Sequence, residues 1–219
     1  MADIKTLETN LCKVLRMIDG KAELIAVTKS VDAEIIKQLA SLGQKVFGEN
    51  HVQDAEQKIL VLNEIYDGLR WHMIGHLQSN KVKKAVRLFD VIQSVDSLKL
   101  VSLIDKEAGK INKRIDILIQ INISKENQKS GIEPSAIHMF FAKLKQMELR
   151  NIKVIGIMGM APFCGHELVR PYFRKMKEIF DSLRSRYNIS ILSMGMSNDY
   201  IKAVEEGSNM VRVGTVLFR

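Results

Sequence analysis

The chain has 219 residues, with 33 Lys and Arg against 25 Asp and Glu and a formal charge of +8 at pH 7. That length accommodates one large domain or two small ones, and 46% hydrophobic with 26% charged residues is an ordinary globular balance that argues against intrinsic disorder. Three prolines and two cysteines are too few for a Pro-rich linker or a disulfide framework. The longest apolar run, Ile115 to Ile123, is broken by Asp116, Gln120 and Asn122 and falls short of the roughly 18 residues a membrane span needs.

The N-terminal stretch MADIKTLETNLCKVLRMIDGK has no basic start, apolar middle or small-residue cleavage site, so a cytoplasmic protein is expected. Within it Ile4, Leu7, Leu11, Val14, Leu15 and Ile18 recur at three- and four-residue steps, which predicts an amphipathic helix over about residues 3 to 19, with Cys12 beside its apolar face. Short β-rich runs then alternate with helical stretches: ELIAVTKS, QKVFGEN, RWHMIGH, FDVIQSVDS, IDILIQINIS, VIGIMGM, ISILSMGMS and NMVRVGT. Eight such strands are what a closed (β/α) barrel requires. Helices are expected over 32–41, 52–66, 98–109, 134–147 and 169–187, with Ser30 or Asp32 capping the first and Pro134 tolerated at a helix start.

No Gly/Ser-rich linker divides this alternation, so residues 1–219 are read as one α/β domain, a TIM-like (β/α)8 barrel. After the last strand only Val216 to Arg219 remain, too short a stretch to close the barrel, and the N-terminal helix is the spare element that can cover the gap between last and first strands. An open doubly wound sheet is the alternative. It would normally carry a Gly-rich turn after the first strand, and AVTKSVD has none.

In a parallel barrel, function gathers where strands end and βα loops begin. Strand parity puts Ile25, Val27 and Lys29 on one face, aiming Lys29 at the C-terminal mouth, where burial would favour its neutral, nucleophilic form for Schiff-base formation. The competing reading is a lysine that begins a loop and reaches solvent. The loops after strands seven and eight commonly bind phosphate in this architecture, and the Gly214 N–H with the Ser197 and Thr215 hydroxyls could form an anion cradle. Gly207-Ser208 reads as a helix C-cap.

Arg212, two residues before Gly214, shares its interior face and needs an acceptor. A pyridine-type ring nitrogen would serve, and such a nitrogen would stay largely unprotonated and make a weak electron sink. Asn50, ending FGEN, could donate to a cofactor's phenolic oxygen or cap the next helix, while Glu49 could pair with a basic group.

His72 and His76 fall on one strand face but offer too few ligands for zinc, and no metal is expected. His51, His138 and His166 receive no role. Cys164, two residues before His166, reads as a free loop thiol. Met158, Met160, Met194 and Met196 are expected to pack the barrel mouth. Lys81, Lys83, Lys84 and Arg87 have the spacing of a solvated helix face, without the interleaved aromatics of single-strand nucleic-acid binders.

Taken in order, AVTKS (26–30), FGENHVQD (47–54), WHMIGHLQSNK (71–81), QSVDS (93–97), LIQINISKENQKSGI (118–132), GIMGM (156–160) and LSMGMSND…EEGSNMVRVGT (192–215) resemble the pyridoxal phosphate homeostasis protein family over about residues 20 to 215. The resemblance implies a barrel like the alanine racemase N-terminal domain, with pyridoxal 5'-phosphate on Lys29. It places Asn50 beside the cofactor, Ser197, Gly214 and Thr215 at phosphate, and Arg212 at the pyridine nitrogen. It also implies buffering or delivery of the cofactor to apo-enzymes, an influence on vitamin B6, amino-acid and keto-acid balance, and no expected catalytic turnover. His51 stands where Tyr is common, and the chain stops shortly after GTVLF.

Two other functions compete. A fold-type III racemase or decarboxylase would use the same lysine, but a two-base racemase needs a second acid/base, and Tyr66, Tyr172, Tyr187 and Tyr200 all fall in predicted helices or their ends. A binding module would act on nucleic acid or protein through the basic face and would show steep salt dependence. No coiled-coil heptad points to an obligate partner, so a monomer is expected.

Overall fold

The computed structural model describes residues 3–124, 130–162 and 168–219. Eight parallel strands, β1 (Glu23–Val27), β2 (Val46–Glu49), β3 (Arg70–Met73), β4 (Val91–Val95), β5 (Ile115–Ile121), β6 (Ile152–Gly159), β7 (Ile191–Met196) and β8 (Met210–Val213), close into a barrel in chain order, β8 pairing with β1. Seven fall inside a run expected to be a strand, β6 begins two residues before its run, VIGIMGM, and most are shorter at their C-terminal ends. Polar groups there turn into loops instead of continuing the ladder.

The helices are α1 (Ile4–Ile18), α2 (Ala33–Ser41), α3 (Val52–Ile65), α4 (Val82–Leu88), α5 (Leu98–Gly109), α6 (Ile137–Lys145), α7 (Arg170–Tyr187), α8 (Tyr200–Glu205) and α9 (Thr215–Phe218). Short polar side chains start several of them by satisfying an orphan N–H. Asp3 accepts from Thr6 N (2.7 Å), Asp32 from Ile35 N (3.1 Å) and Ser97 from Leu100 N (3.3 Å). The basic cluster is the outer face of α4, where Val82, Ala85 and Val86 are buried and Lys84 pairs with Glu56. At the end of α8, Gly207 N and Ser208 N donate to the Val204 and Ala203 carbonyls, the paired bonds of a Schellman cap.

The gap between last and first strands is covered as the sequence implies, with one addition. α1 buries Leu7, Leu11, Val14 and Ile18 and packs against α2, α8 and α9. Three of the four residues thought too short to close the barrel, Val216 to Phe218, form α9 with Thr215, and Asn10 Nδ2 donates to its Leu217 carbonyl (3.2 Å) and to that of the following Arg219 (2.8 Å). Cys12, expected beside the apolar face as filler, is exposed.

Most of the core lies between barrel and helices, where outward strand residues such as Phe47, Trp71, Ile117 and Leu192 meet the helices' apolar faces. The barrel interior is plugged by two smaller clusters, Ile25, Val46 and Met210 on one side and Val91, Leu118 and Met158 on the other. Met194 was expected at the mouth with the other three methionines; it belongs instead to the layer under the helices, because its strand parity points it outward. Among the described residues, no helix is long and apolar enough to cross a membrane.

Candidate functional site

A cavity of about 990 Å³ opens at the C-terminal mouth of the barrel. Lys29, Asn50, Ser197, Arg212, Gly214 and Thr215, which the sequence placed at one site, all line it, together with His76, Gln120, Met160 and Asp199. These residues are scattered over nearly the whole chain. Only closure of the barrel brings them to one rim.

Lys29 sits differently from its expected burial. β1 ends at Val27, the next residues form a turn, and Lys29 is exposed at the cavity rim. Desolvation is therefore not what would activate it. The turn is held from behind: Thr28 N donates to the Gly48 carbonyl (3.0 Å), Thr28 Oγ1 to Glu49 Oε1 (2.6 Å), and Lys58 Nζ to both the Thr28 carbonyl (2.9 Å) and Glu49 Oε1 (3.0 Å). Lys58 is the basic partner anticipated for Glu49.

Asn50 follows β2 and lines the cavity; the residue at the α3 N-cap is His51, which makes no side-chain capping bond. Asn50 is set by an exceptionally close backbone crossing. A Cβ on Gly75 would lie 2.2 Å from the Asn50 carbonyl oxygen and 2.8 Å from its Cα, so only glycine lets the loop after β3 pass there. Gly75→Ala must push the two loops apart. We expect it to cost about 2 kcal/mol, measured as a lower urea midpoint at unchanged m-value.

At the opposite rim, β7 shifts register against β8 between Ser193 and Met196, and Gly195 has φ +96°. A side chain there would meet Ala203 Cβ at 2.5 Å as well as carrying the left-handed strain. This bend sets Ser197 Oγ 3.1 Å from Gly214 N, which donates to it. With the exposed Thr215 beside them, the expected hydroxyl and amide donors are adjacent.

Arg212 forms the cavity floor and is 3% exposed. Its Nη1 donates to Ser193 Oγ (2.5 Å) and its Nη2 to the Gly159 carbonyl (3.0 Å). Burial pushes the guanidinium down to about 10, and the charge of Asp199 opposes this, so Arg212 is still a cation and a donor at neutral pH. Beneath it, Ser193 Oγ donates to Gln93 Oε1 (2.7 Å), and Gln93 Nε2 meets His72 Nδ1 at 2.8 Å. Burial, helped by the nearby Arg70 cation, pushes His72 down to about 3.

Ser193 and Gln93 lie in the motifs LSMGMSND and QSVDS but received no individual role. Their signal was parity: Gln93, Ser193 and Arg212 each stand two residues after an apolar barrel plug, Val91, Ile191 and Met210. His72 and His76 do not share a strand face, because β3 stops at Met73 and His76 lies exposed on the following loop, 3.8 Å from Asp96. Among the described residues, no group of His, Cys, Asp or Glu could hold a metal ion. Cys164 and His166 lie outside the described residues.

The family model for the alanine racemase N-terminal domain matches residues 2–219. The pyridoxal phosphate homeostasis protein of Aquifex aeolicus is 42% identical over 200 residues, 90% of this chain and 86% of that protein. Its namesake from Escherichia coli K12 is 38% identical over 199 residues, covering 89% and 84%. Among solved structures, PipY of Synechococcus elongatus without PLP superposes with a TM-score of 0.91 at 33% identity, covering 97% of this chain and all of that one. PipY with PLP bound gives 0.88 at the same identity and coverage. An alanine racemase from Clostridium difficile, at 17% identity and TM-score 0.80, shares the fold over 97% of this chain and 59% of its own.

Proposed function

The chain belongs to the pyridoxal phosphate homeostasis protein family, within the alanine racemase N-terminal domain fold, and from that premise we propose that it binds pyridoxal 5'-phosphate in the mouth cavity and buffers or delivers it within the cell. In this reading residues 1–219 act as one cofactor-holding domain and as a monomer. The observation that carries it is the convergence at one 990 Å³ cavity of an amine, a buried cationic donor and a cluster of anion donors.

The donor set fits the cofactor. Ser197, whose Oγ accepts from the Gly214 amide and so keeps its own proton to donate, and the neighbouring Thr215 hydroxyl suit a phosphate, which takes hydrogen bonds on every oxygen. Asn50 stands across the cavity wall, where an amide can meet the phenolic oxygen. Bound cofactor supplies an aldehyde, and Lys29 Nζ is the amine that condenses reversibly with it, releasing water. Exposure of Lys29 keeps that amine within reach of solvent and of exchange partners.

Arg212 supports the carrier reading. It can only donate, so the ring nitrogen it meets stays an unprotonated acceptor, and the ring is a poor sink for carbanion electrons. Among the described residues no tyrosine lines the cavity to serve as the second acid/base of a two-base racemase. The relatives' common name, homeostasis protein, agrees with the non-catalytic reading.

The deciding experiment is to load the purified protein with pyridoxal 5'-phosphate, reduce it with borohydride and map the modified peptide. The expected result is a yellow protein whose reduced adduct lies on Lys29 and is absent from Lys29→Ala. A protein that stays colourless at millimolar cofactor, or an adduct spread over surface lysines, would overturn the proposal.

A further inference from the structure

We propose that Ser193, Gln93 and His72 form a hydrogen-bond relay of fixed direction that positions the Arg212 guanidinium beneath the cavity. The four side chains come from β7, β4, β3 and β8, and none exceeds 3% exposure. Only Arg212 lines the cavity. The other three touch nothing outside the barrel interior, so their polar character needs a reason inside it.

The direction follows from what each group can do. A guanidinium has donors and no acceptor, so at the 2.5 Å contact Ser193 Oγ must accept. The serine's single proton then goes to Gln93 Oε1, 2.7 Å away. That fixes the amide with its NH2 toward His72 Nδ1 (2.8 Å) and Met210 Sδ (3.4 Å). His72 Nδ1 must therefore be the bare acceptor, and the ring proton sits on Nε2. A reversed amide would make Ser193 accept from both sides, strand its own proton in a buried site and turn the amide oxygen onto Met210 Sδ, whereas the assigned direction leaves only the His72 Nε2 N–H, at the end of the relay, without a partner. A donor-only residue at one end of the relay thus sets the tautomer of an imidazole at the other.

The relay in turn holds the arginine. Arg212 has two anchors, Ser193 Oγ on β7 and the Gly159 carbonyl on β6 at 3.0 Å. With both in place the planar fork has one orientation, and its remaining N–H groups keep a fixed aim. Without Ser193 it pivots on Gly159 alone. Ser193 and Gln93 are positioning residues; their consequence for ligand binding rests on the reading of Arg212 as the donor to the cofactor ring, whereas the relay itself does not.

The test starts with histidine 15N–1H NMR of the cofactor-free protein, which needs no variant. The expected spectrum has His72 as a neutral ring with Nε2 protonated and Nδ1 bare. In Gln93→Glu the carboxylate can only accept, so the proton should move to Nδ1. In Ser193→Ala the amide is released, His72 should lose its single tautomer, and cofactor Kd should rise about tenfold, while Ser193→Thr, which keeps the hydroxyl, should restore both. A wild-type His72 protonated on Nδ1, or a tautomer unmoved by Gln93→Glu, would overturn the relay. An unchanged cofactor Kd in Ser193→Ala, with the tautomer altered as expected, would overturn its positioning role. Wild-type protein that shows the expected tautomer yet binds no cofactor would overturn the functional reading and leave the relay standing.

Discussion

Acidification from pH 6.5 to about pH 4 is expected to remove about 3 kcal/mol of folding stability through His72 alone. The ring is fully buried and its pKa is pushed from 6.5 down to about 3, first by burial and then by the Arg70 cation. Between those two values the unfolded chain takes up a proton that the folded chain refuses, so stability rises with pH across the window and is lost as pH falls. Each unit in the window is worth about 1.4 kcal/mol, and the loss is complete near pH 3. Urea titrations at a series of pH values measure it. Carboxylates also titrate in acid, so the His72 share is read as the difference in slope between wild type and His72→Gln, whose amide oxygen can still accept from Gln93. Parallel slopes for the two proteins would refute the assignment.

The cost of keeping that imidazole neutral bears on why it is there. An apolar residue in its place would remove the penalty in acid but would leave the Gln93 amide donor with one partner fewer, a weak contact to Met210 Sδ at 3.4 Å. The polar layer has to be satisfied from Arg212 through to the last acceptor. Every link from Arg212 to His72 Nδ1 is made in turn, and the one group left unmatched is the His72 Nε2 N–H, where the chain of bonds ends.

The barrel was legible in the sequence because its signals are local and repeated. Eight β-rich runs at regular intervals leave few alternatives, and the cap at Asp32 is written in the residue that makes it. The site was legible at strand ends for the same reason: Lys29, Asn50, Ser197, Gly214 and Thr215 sit where a barrel places its rim, and Arg212 lies on the floor beneath them. What was hidden depends on pairs distant in the chain. Period-two parity carries Lys29 into the interior only if β1 runs two residues longer than it does, and it stops because Thr28 is bonded sideways to β2. Gly75 looks like ordinary punctuation, and only the crossing at Asn50 explains it. Gln93 and Ser193 are 100 residues apart, and nothing local marks either as half of a hydrogen bond.

Lys58→Met is expected to cost about 3–5 kcal/mol, the range for breaking a buried ion pair by removing one partner. Glu49 is wholly buried on the outward face of β2, and the Lys58 side chain, 14% exposed, is the cation that reaches it from α3. Methionine keeps the packing of the lysine stem and deletes only the ammonium. The Glu49 carboxylate is then left with Thr28 Oγ1, while its Oε2 has no partner even in the wild type. The Thr28 carbonyl loses its Nζ donor as well and retains the Val31 N–H at 3.2 Å. Because that carbonyl belongs to the turn bearing Lys29, hydrogen exchange at Val31 should accelerate more than exchange in distant strands such as β5. The double variant Glu49→Gln/Lys58→Met removes the stranded charge while keeping an acceptor for Thr28, so it should recover at least half of the loss. A Lys58→Met midpoint within about 1 kcal/mol of wild type, the range of a solvent-screened surface pair, would show that Glu49 does not depend on Lys58 and that the Lys29 turn is held by its bonds to β2 alone.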